Sequence, residues 1–318
     1  MNQEIICENT SCALCGKDSP VVIANGFDYE YWTSEQNFSF AQCENCGHIY
    51  LNPRPVSSEA NKIYPRNYYT LAGHHLAKNS RLIAYMKNRI ITNRLAFFNK
   101  NFEKPASILE IGCGDCALLI ELKTNYPMLN CDGVDIAFSD ERRNICADVG
   151  VNLIQGKIED LDLPELHYDL VIMNQLLEHL WNPREVIKKI HQSLVPGGMI
   201  SIETVNYLGY DRQFFSQSYW GGYYFPRHLN LFSFKTLRQF LMDNGFEITK
   251  QYSLLAPIVW IYSIHALFCP KPKNMDSRAA LFFTDRNPIC LGFFAFIDSI
   301  ALLLGFTTSN QKVIARKR

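Results

Sequence analysis

Residues 105–122 read PASILEIGCGDCALLIEL, and this stretch decides how the rest of the chain is interpreted. The apolar run Ser107–Ile111 is typical of a buried strand, and the residues after Gly114 have the composition of a helix. A strand that enters a helix through Gly-x-Gly leaves backbone N–H groups facing whatever lies above the edge of the sheet. The stretch therefore predicts a turn that holds a nucleotide-bearing cofactor, although glycine turns also join strands to helices for packing alone.

Two carboxylates narrow the choice of cofactor. GCGDCA, residues 112–117, satisfies the dinucleotide-binding pattern, so NAD is one candidate. Glu110 lies at the end of the strand, where its charge suits the ammonium group of S-adenosylmethionine and would repel a pyrophosphate. Asp135 ends the next apolar run and can accept both hydroxyls of a ribose, which either cofactor would use. Glu110 thus favours S-adenosylmethionine, and an NAD-dependent sugar-modifying enzyme stays as the alternative.

Downstream of this turn, short β-branched runs alternate with helical segments, a pattern typical of a parallel α/β sheet. Further strands are expected at 131–135, 151–154, 168–173, 199–204, 246–252 and 311–316. The loop Pro196–Gly198 indicates the end of a helix before the fifth strand.

Five ordered blocks between Ile108 and Asn206 resemble class I S-adenosylmethionine-dependent methyltransferases: ILEIGCGDC, GVDIA, GKIEDL, YDLVIMNQLLEHLWNP and IKKIHQSLVPGGMISIETVN. The resemblance implies an α/β, Rossmann-like sheet of seven strands, with an antiparallel last strand beside the sixth. The chain departs from the family pattern at Cys116, where many members have a third glycine that concerns helix packing. It departs again at Lys157, where many members have an acidic residue beside the adenine.

The same resemblance assigns the cofactor-binding residues to the ends of the first four strands. Those for the methionine end and the ribose are Glu110, Gly112, Gly114 and Asp135. Those near the adenine are Ile136, Ile158 (through its backbone) and Glu159, and those near the methyl donor are Asn174 and Gln175.

The first 55 residues contain two cysteine pairs, Cys12 with Cys15 and Cys43 with Cys46, each followed by glycine. Two Cys-x2-Cys turns can present four thiolates to one tetrahedral Zn2+. The spacer is long for such a site, and a β-hairpin in VVIANGFDYEYW, residues 21–32, would accommodate it. Buried or redox thiols are the alternative. Because four cysteines would close the coordination of the zinc, its role would be structural.

CGHIYLNPRP and YPRNYY, which follow the second cysteine pair, resemble methyltransferases of bacterial glycan and secondary-metabolite pathways that carry an N-terminal zinc ribbon. This resemblance implies a small-molecule or glycan-type acceptor. Tyr68 and Tyr69 would either close over the cofactor or pack in the core.

The aromatic segment 205–233 follows the fifth strand and should cover the carboxyl edge of the sheet. Within it, His228 is the best candidate for a general base, since an imidazole titrates near neutral pH. Arg227 could bind an anionic group of the substrate; both residues could instead fix the segment by hydrogen bonds. His179 is a second catalytic candidate, although Glu178-His179 is also interpreted as a helix-start pair.

Two apolar stretches, 254–268 and 289–306, form an insertion before the last strand. Each is shorter than the roughly 20 residues that a spanning helix needs, and each contains an ionisable residue, His265 or Asp298. They are interpreted as helices that pack on the domain and lie on a membrane surface, with a core role or a homodimer contact as alternatives. The expected domains are 1–55, the zinc ribbon; 56–104, a helical segment; 105–252 with 308–318, the Rossmann-like domain; and 253–307, the insertion.

Composition limits the partners and the location. The 318 residues include 31 basic and 31 acidic ones, so the balance gives no reason to expect a nucleic-acid partner. The first residues, MNQEIICENT, lack the features of a secretory signal, and eleven cysteines suit a reducing compartment. The expectation is a cytoplasmic protein with membrane association through residues 254–306. Its expected activity is O-methylation, with C-methylation less favoured; a zinc-ribbon binding protein with an inactive methyltransferase domain is a further alternative.

Overall fold

The computed structural model describes residues 4–65, 92, 95, 96, 98, 106–215, 218–268, 282–284 and 287–318. Most of the predicted helical segment 56–104, including Tyr68 and Tyr69, lies outside these residues, as does Cys269. At its start the structure has a turn of 3₁₀ helix, Ser57–Glu59, and a short helix α1, Ala60–Ile63.

The strands follow one another along the chain as β1 Cys7–Glu8, β2 Pro20–Gly26, β3 Phe38–Cys43, β4 Ile49–Leu51, β5 Arg54–Pro55, β6 Ser107–Ile111, β7 Asn130–Asp135, β8 Val151–Gln155, β9 Tyr168–Asn174, β10 Leu194–Val205, β11 Asn230–Leu231, β12 Phe246–Leu254 and β13 Asn310–Lys317. The helices after α1 are α2 Ala117–Asn125, α3 Asp140–Val149, α4 Pro183–Ser193, α5 Phe234–Asp243, α6 Pro257–Phe268 and α7 Pro288–Leu303.

Seven strands form the main sheet in the order β12-β13-β10-β9-β6-β7-β8. β13 lies between β12 and β10 and is antiparallel to both, which confirms the predicted sheet and its antiparallel last strand. Helix α4 ends at Ser193, before the Pro196–Gly198 loop, and the pairing of β10 with β9 is irregular between Leu194 and Met199. Gly197 adopts a φ of +75° in this irregular segment, where a side chain would be strained.

Helices cover both faces of the sheet. Because the side chains of a strand alternate between the two faces, each strand contributes to two separate cores. On one face, Leu109 and Ile111 of β6 pack in a core shared with α4 and α5. On the other face, Ile108 packs with Leu119 of α2 and Cys146 of α3. The carboxyl ends of the parallel strands are thereby held rigidly at one edge.

A second sheet, ordered β11-β4-β3-β2, joins the N-terminal module to the main domain. Its first three strands along the chain come from residues 20–51, and β11 comes from the segment that follows β10. β11 pairs with β4 through Asn230–Tyr50 and Leu231–Ile49. The cysteine-rich module therefore shares a sheet with the segment that carries His228.

The hairpin predicted within residues 21–32 forms with a different partner. β2 ends at Gly26 and pairs with β3, which begins only at Phe38. The chain leaves the strand because the Asp28 carboxylate accepts hydrogen bonds from the backbone N–H groups of Tyr31 and Thr33, both at 3.0 Å. Residues 27–37 therefore form a loop, in which Asp28 and Tyr31 contact Arg227 and Tyr29 contacts Tyr219.

A fully buried ion pair fastens this loop. The two terminal nitrogens of Arg227 donate to the two carboxylate oxygens of Asp28 at 2.9 and 2.7 Å, and both side chains are 0% exposed. The guanidinium lies over the rings of Tyr31 and Tyr224, at 4.5 and 5.1 Å from their centroids. Although burial opposes ionisation, the charge of Arg227 holds the pKa of Asp28 below its usual value. The pair is ionised and bidentate at neutral pH.

Replacing Asp28 with Asn should destabilise the protein strongly. The substitution removes the carboxylate that pairs with the buried guanidinium of Arg227, and breaking a buried ion pair typically costs about 3–5 kcal/mol of unfolding free energy. Glu185→Gln is the matched control, since Glu185 and Lys188 form an exposed pair worth about 0–1 kcal/mol. Urea denaturation of the three proteins measures the difference. Equal stability of the two variants would contradict a fastening role for the buried pair.

Candidate active site

The glycine turn adopts a conformation that other residues rarely take. Gly112 and Gly114 have φ values of +74° and +52°. The N–H of Gly112 donates to the carbonyl of Val134 at 2.8 Å, and that of Gly114 donates to Asp135 Oδ2 at 2.8 Å. The turn is thereby tied to the end of β7. Cys116 is also left-handed, with a φ of +55°, a conformation that non-glycine residues rarely adopt.

Glu110 and Asn174 meet at the ends of the adjacent strands β6 and β9. The Asn174 side-chain amide donates to Glu110 Oε1 at 3.3 Å, and the Glu110 side chain is buried. Asn174 Oδ1 is also buried and has no hydrogen-bond partner. Because a buried acceptor normally has a donor, these oxygens fit the ammonium group at the methionine end of S-adenosylmethionine.

Asp135 ends β7 beside the glycine turn. Its Oδ1 accepts from the N–H of Ile136 at 2.7 Å, and burial raises its pKa while backbone donors oppose that change. Ile136 is half-exposed beside it, and the loop after β8 is held by a bond from the Gly156 N–H to the Asp135 carbonyl at 2.9 Å. That loop carries Ile158, which is buried in the core. Asp135 and Ile136 are thus adjacent at one end of the predicted cofactor site.

The side chains of Glu159 and Gln175 are used in contacts within the protein. Glu159 Oε1 accepts from the backbone N–H of Trp181 at 3.1 Å. Gln175, with a φ of +53°, donates from its side chain to Asn310 Oδ1 at 3.0 Å. Direct contacts or adjacent strands link five of the predicted residues: Glu110, Gly112, Gly114, Asp135 and Asn174. The side chain of Glu159 instead holds the segment before α4, and that of Gln175 holds the start of β13.

His179 and His228 lie against each other, with ring centroids 4.8 Å apart. His179 is in the 3₁₀ turn Leu177–His179, which precedes α4, so it does not start that helix. Nδ1 of His179 is 3.0 Å from the Arg227 carbonyl, and Nδ1 of His228 is 2.8 Å from the Gly222 carbonyl. A carbonyl can only accept, so each Nδ1 carries the proton and each Nε2 is left with a lone pair.

Burial keeps both imidazoles neutral. It lowers the pKa of His179 to about 4, and it lowers the pKa of His228 well below the usual value, with neighbouring His179 acting in the same direction. The free-base form of each ring is therefore present at neutral pH, so each Nε2 offers a lone pair to a substrate proton or a metal ion, although the lowered pKa makes each ring a weaker proton acceptor than a free imidazole.

Glu178 is a functional candidate that the sequence analysis did not assign. It is fully buried, its Oε2 accepts from the Thr204 hydroxyl at 2.7 Å, and its Oε1 has no hydrogen-bond partner. Burial raises its pKa to about 7. Glu178, His179 and His228 each place one ligand atom within 4.8 Å of the others, so the set could also hold a divalent cation. Because Glu178-His179 is interpreted from the sequence as a helix start, the proximity of Glu178 to His228 is not predicted.

The four predicted metal ligands form one cluster in the N-terminal module. All four sulfur atoms lie within 4.8 Å of one another, those of Cys12, Cys15, Cys43 and Cys46. The Cys12–Cys46 and Cys15–Cys43 sulfurs are both 3.5 Å apart. Zinc–sulfur bonds of about 2.3 Å at tetrahedral angles put sulfurs about 3.8 Å apart, so the cluster fits Zn2+. Left-handed glycines, Gly16 and Gly47, follow each pair.

An antiparallel last strand in a seven-stranded sheet, with carboxylates ending adjacent strands around a glycine turn, is the arrangement of class I S-adenosylmethionine-dependent methyltransferases. Residues 82–251, more than half of the chain, match a family described as a methyltransferase domain, and the protein belongs to that family.

Curated relatives match a shorter region. The malonyl-[acyl-carrier protein] O-methyltransferase of Halalkalibacterium halodurans is 29% identical over 108 residues, which cover 32% of this chain and 40% of the relative. The ubiquinone biosynthesis O-methyltransferase of Rickettsia akari is 29% identical over 122 residues, 37% of this chain and 47% of the relative. The chain thus spans less than half the length of these relatives. A solved methyltransferase from Archaeoglobus fulgidus aligns with a TM-score of 0.46 and 19% identity, covering 75% of this chain and all of the other.

Glu110→Gln should weaken binding of S-adenosylhomocysteine about 10- to 100-fold. The substitution keeps the shape of the side chain and removes the charge that faces the ammonium group, and hydrogen bonds to charged groups contribute about 1.5–3 kcal/mol. Glu247→Gln, an exposed change on β12, is the control and should bind as the unmodified protein does. Isothermal calorimetry with S-adenosylhomocysteine and with NAD measures both affinities. Preference for NAD, or unchanged affinity in Glu110→Gln, would contradict this assignment.

The purified protein should contain one zinc ion per chain, and Cys43→Ser should lose it. A hydroxyl replaces one of four thiolates, and the module that depends on the metal is then expected to unfold at a lower temperature. Cys7→Ser, a change at a half-buried cysteine outside the cluster, should retain the zinc. Elemental analysis and thermal denaturation check both variants. Full zinc content in Cys43→Ser, or none in the unmodified protein, would show that the cluster is not a zinc site.

Proposed function

We propose that the protein transfers the methyl group of S-adenosylmethionine to a hydroxyl oxygen of a sugar, glycan or lipid-linked small molecule, with carbon as the less favoured acceptor atom. The observation that carries this proposal is the neutral imidazole of His228, whose Nδ1 is held by the Gly222 carbonyl at 2.8 Å. An oxygen nucleophile must give up a proton, and His228 Nε2 can take it. The two relatives named as O-methyltransferases support oxygen as the acceptor.

The residues around the glycine turn would hold and orient the cofactor, which supplies an electrophilic methyl group on a positively charged sulfur. Glu110 and Asn174 would accept hydrogen bonds from its ammonium group, and Asp135 would accept those of the ribose hydroxyls. A fixed cofactor and a fixed acceptor make transfer effectively intramolecular, which is the main contribution that such a fold can make.

The histidine pair lies next to this edge of the sheet. Leu176 alone separates Gln175 from residues 177–179, and a Cβ on Gly112 would lie 3.3 Å from the side chain of Leu176. His228 Nε2 would accept the acceptor's hydroxyl proton, which leaves a positively charged imidazolium. Glu178 in the same cluster, whose pKa burial raises to about 7, would stabilise that charge in its ionised form.

An aromatic cleft beside His228 supports a ring-shaped acceptor. Its lining combines Phe27, Tyr29 and Glu30 of the N-terminal module with Trp220 and Tyr224 of the segment after β10. Aromatic faces with one carboxylate suit apolar ring faces and hydroxyl donors, but the cleft has a volume of about 30 Å³, against roughly 300–1,000 Å³ for ligand pockets, so its walls would have to separate to admit a sugar. The Tyr224 ring is 5.1 Å from that of His228, so the cleft and the proposed base are adjacent.

The two other functions are less well supported. An NAD-dependent enzyme would place a pyrophosphate near the buried Glu110 carboxylate, which charge repulsion opposes. An inactive methyltransferase domain would not need Glu110, Gly112, Gly114 and Asp135 to be intact, nor the unpartnered oxygen of Asn174.

His228→Gln should reduce methyl transfer about 10²- to 10⁴-fold, the usual contribution of a general base. The measurement is transfer of labelled methyl from S-adenosylmethionine to a panel of nucleotide sugars and lipid-linked sugars. Binding of S-adenosylhomocysteine should stay within about twofold, because His228 is not a predicted cofactor ligand. His167→Gln is the matched control, since His167 is exposed and precedes β9 at the opposite edge of the sheet.

Three outcomes would count against the proposal for His228. Unchanged transfer in His228→Gln would remove it as the base. Equal losses of transfer and of cofactor binding would point to a folding defect. Activity that EDTA abolishes while the four-cysteine zinc stays bound would assign Glu178, His179 and His228 to a metal ion instead.

A further inference from the structure

One face of helix α7 is apolar and exposed along its whole length. Ile289, Phe293, Phe296, Ile300 and Leu303 recur at intervals of three and four residues, so they form one line on the helix surface. Their side chains are between 42% and 87% exposed. Leu304 and Phe306 continue the line past the end of the helix and are 70% and 55% exposed. We call these seven residues the apolar ridge.

The ridge offers no group that forms hydrogen bonds. From Pro288 to Phe306 the sequence contains no basic residue, and its oxygen-bearing side chains are Asp298 and Ser299. Asp298 is buried on the opposite side of the helix, and the Ser299 hydroxyl donates to the Ala295 carbonyl at 2.7 Å. A partner on the ridge would therefore meet hydrocarbon alone.

The ridge is attached rigidly to the rest of the protein. The Asp298 carboxylate accepts hydrogen bonds from Tyr210 Oη at 3.1 Å, the Ala256 N–H at 2.6 Å and Trp260 Nε1 at 2.9 Å. The rings of Trp260 and Phe294 stack with centroids 5.4 Å apart. These contacts fix α7 to α6, so the direction of the ridge is set by the fold.

We infer that the apolar ridge docks on the surface of an anionic lipid bilayer. Protein interfaces carry about one hydrogen bond per 100–200 Å², and even homodimer interfaces are only about 65% apolar. A ridge without donors or acceptors matches the acyl boundary of a membrane better than it matches a second copy of the chain. The stretch of sequence that joins α6 to α7 has a net charge of +2, from four basic residues (Lys271, Lys273, Arg278 and Arg286) and two acidic ones (Asp276 and Asp285), and this sign favours an anionic lipid over a neutral one.

The ridge would lie in the plane of the membrane. Among the residues that the structure describes, no helix combines the length and apolarity needed for a membrane span. A helix of 16 residues is about 24 Å long, against about 30 Å for the hydrocarbon core. The inserted atoms would be the protruding Phe and Leu side chains, while the buried side of α7 stays packed on the domain.

Sedimentation with vesicles of phosphatidylcholine and phosphatidylglycerol in a 3:1 ratio tests this inference on the full chain. The unmodified protein should sediment with the vesicles, and the double variant Phe296→Ser, Leu303→Ser should bind at least tenfold more weakly. Met128→Ser with Leu166→Ser is the control, because these side chains are 91% and 57% exposed outside the ridge. The control should bind as the unmodified protein does. Calorimetry with S-adenosylhomocysteine verifies that each variant is folded.

Two results would overturn the inference. One is a failure of the sedimentation test: either the unmodified protein stays in the supernatant with vesicles, or the ridge variant sediments as much as the unmodified protein. The other is a dimer by light scattering that becomes monomeric in the ridge variant, which would assign the ridge to a second copy of the chain. Neither readout uses methyl transfer, so the inference fails or holds independently of the proposed acceptor.

Discussion

The bidentate ion pair between Asp28 and Arg227 connects the N-terminal module to the residues that surround the candidate base. Asp28 also accepts the backbone N–H groups that shape its own loop, and the carbonyl of Arg227 accepts the Nδ1 proton of His179. His228 is the next residue along the chain. Removing two charges from water is costly, and only good geometry with further hydrogen bonds offsets that cost. The burial of this pair therefore fixes the position of the histidines as well as the seam between the two sheets.

The four-cysteine cluster would support the proposed site without taking part in its chemistry. A zinc ion held by four thiolates has no open position for a substrate. Its effect would pass through the strands β2 to β4, which carry the Asp28 loop at one end and pair with β11 at the other. The His48 ring adds a buried contact, with Nε2 at 3.2 Å from Asn230 Oδ1. The module thus supplies one wall of the aromatic cleft and holds the segment that contains His228.

The features that the sequence predicted are those with a local physical signal. Central strands such as β6 are continuous apolar runs, and Gly112 and Gly114 are needed for positive φ angles. The side chain of Asp135 stands where a strand ends. Such patterns, with the order of five blocks, were enough to predict the sheet and the neighbourhood of Glu110.

Contacts between distant segments had no such signal. Asp28 and Arg227 are 199 positions apart, and β4 pairs with β11 across a similar distance. Glu178 accepts a hydrogen bond from Thr204 near the end of β10, a contact that the dipeptide Glu178-His179 does not reveal. The hairpin extends further along the chain than the sequence predicts. Its long connection is shaped by the Asp28 side chain, and this role has no sequence signal because Asp is common in exposed loops. The assignments of Glu159 and Gln175 came from family position, whereas their side-chain contacts depend on Trp181 and Asn310.

The proposed acceptor cleft and the apolar ridge share a structural element. Tyr262 of α6 stacks on Tyr224 with ring centroids 5.9 Å apart, and Tyr224 packs against His228. Helix α6 in turn holds α7 through Trp260 and Asp298. A protein that rests on a bilayer through α7 would present this cleft at a fixed height and angle relative to the membrane. That geometry gives a lipid-linked acceptor an advantage over a freely diffusing sugar, because anchoring both reactants to one surface raises their effective concentration. The ridge therefore bears on the choice among the proposed acceptors, which the cofactor site by itself does not distinguish.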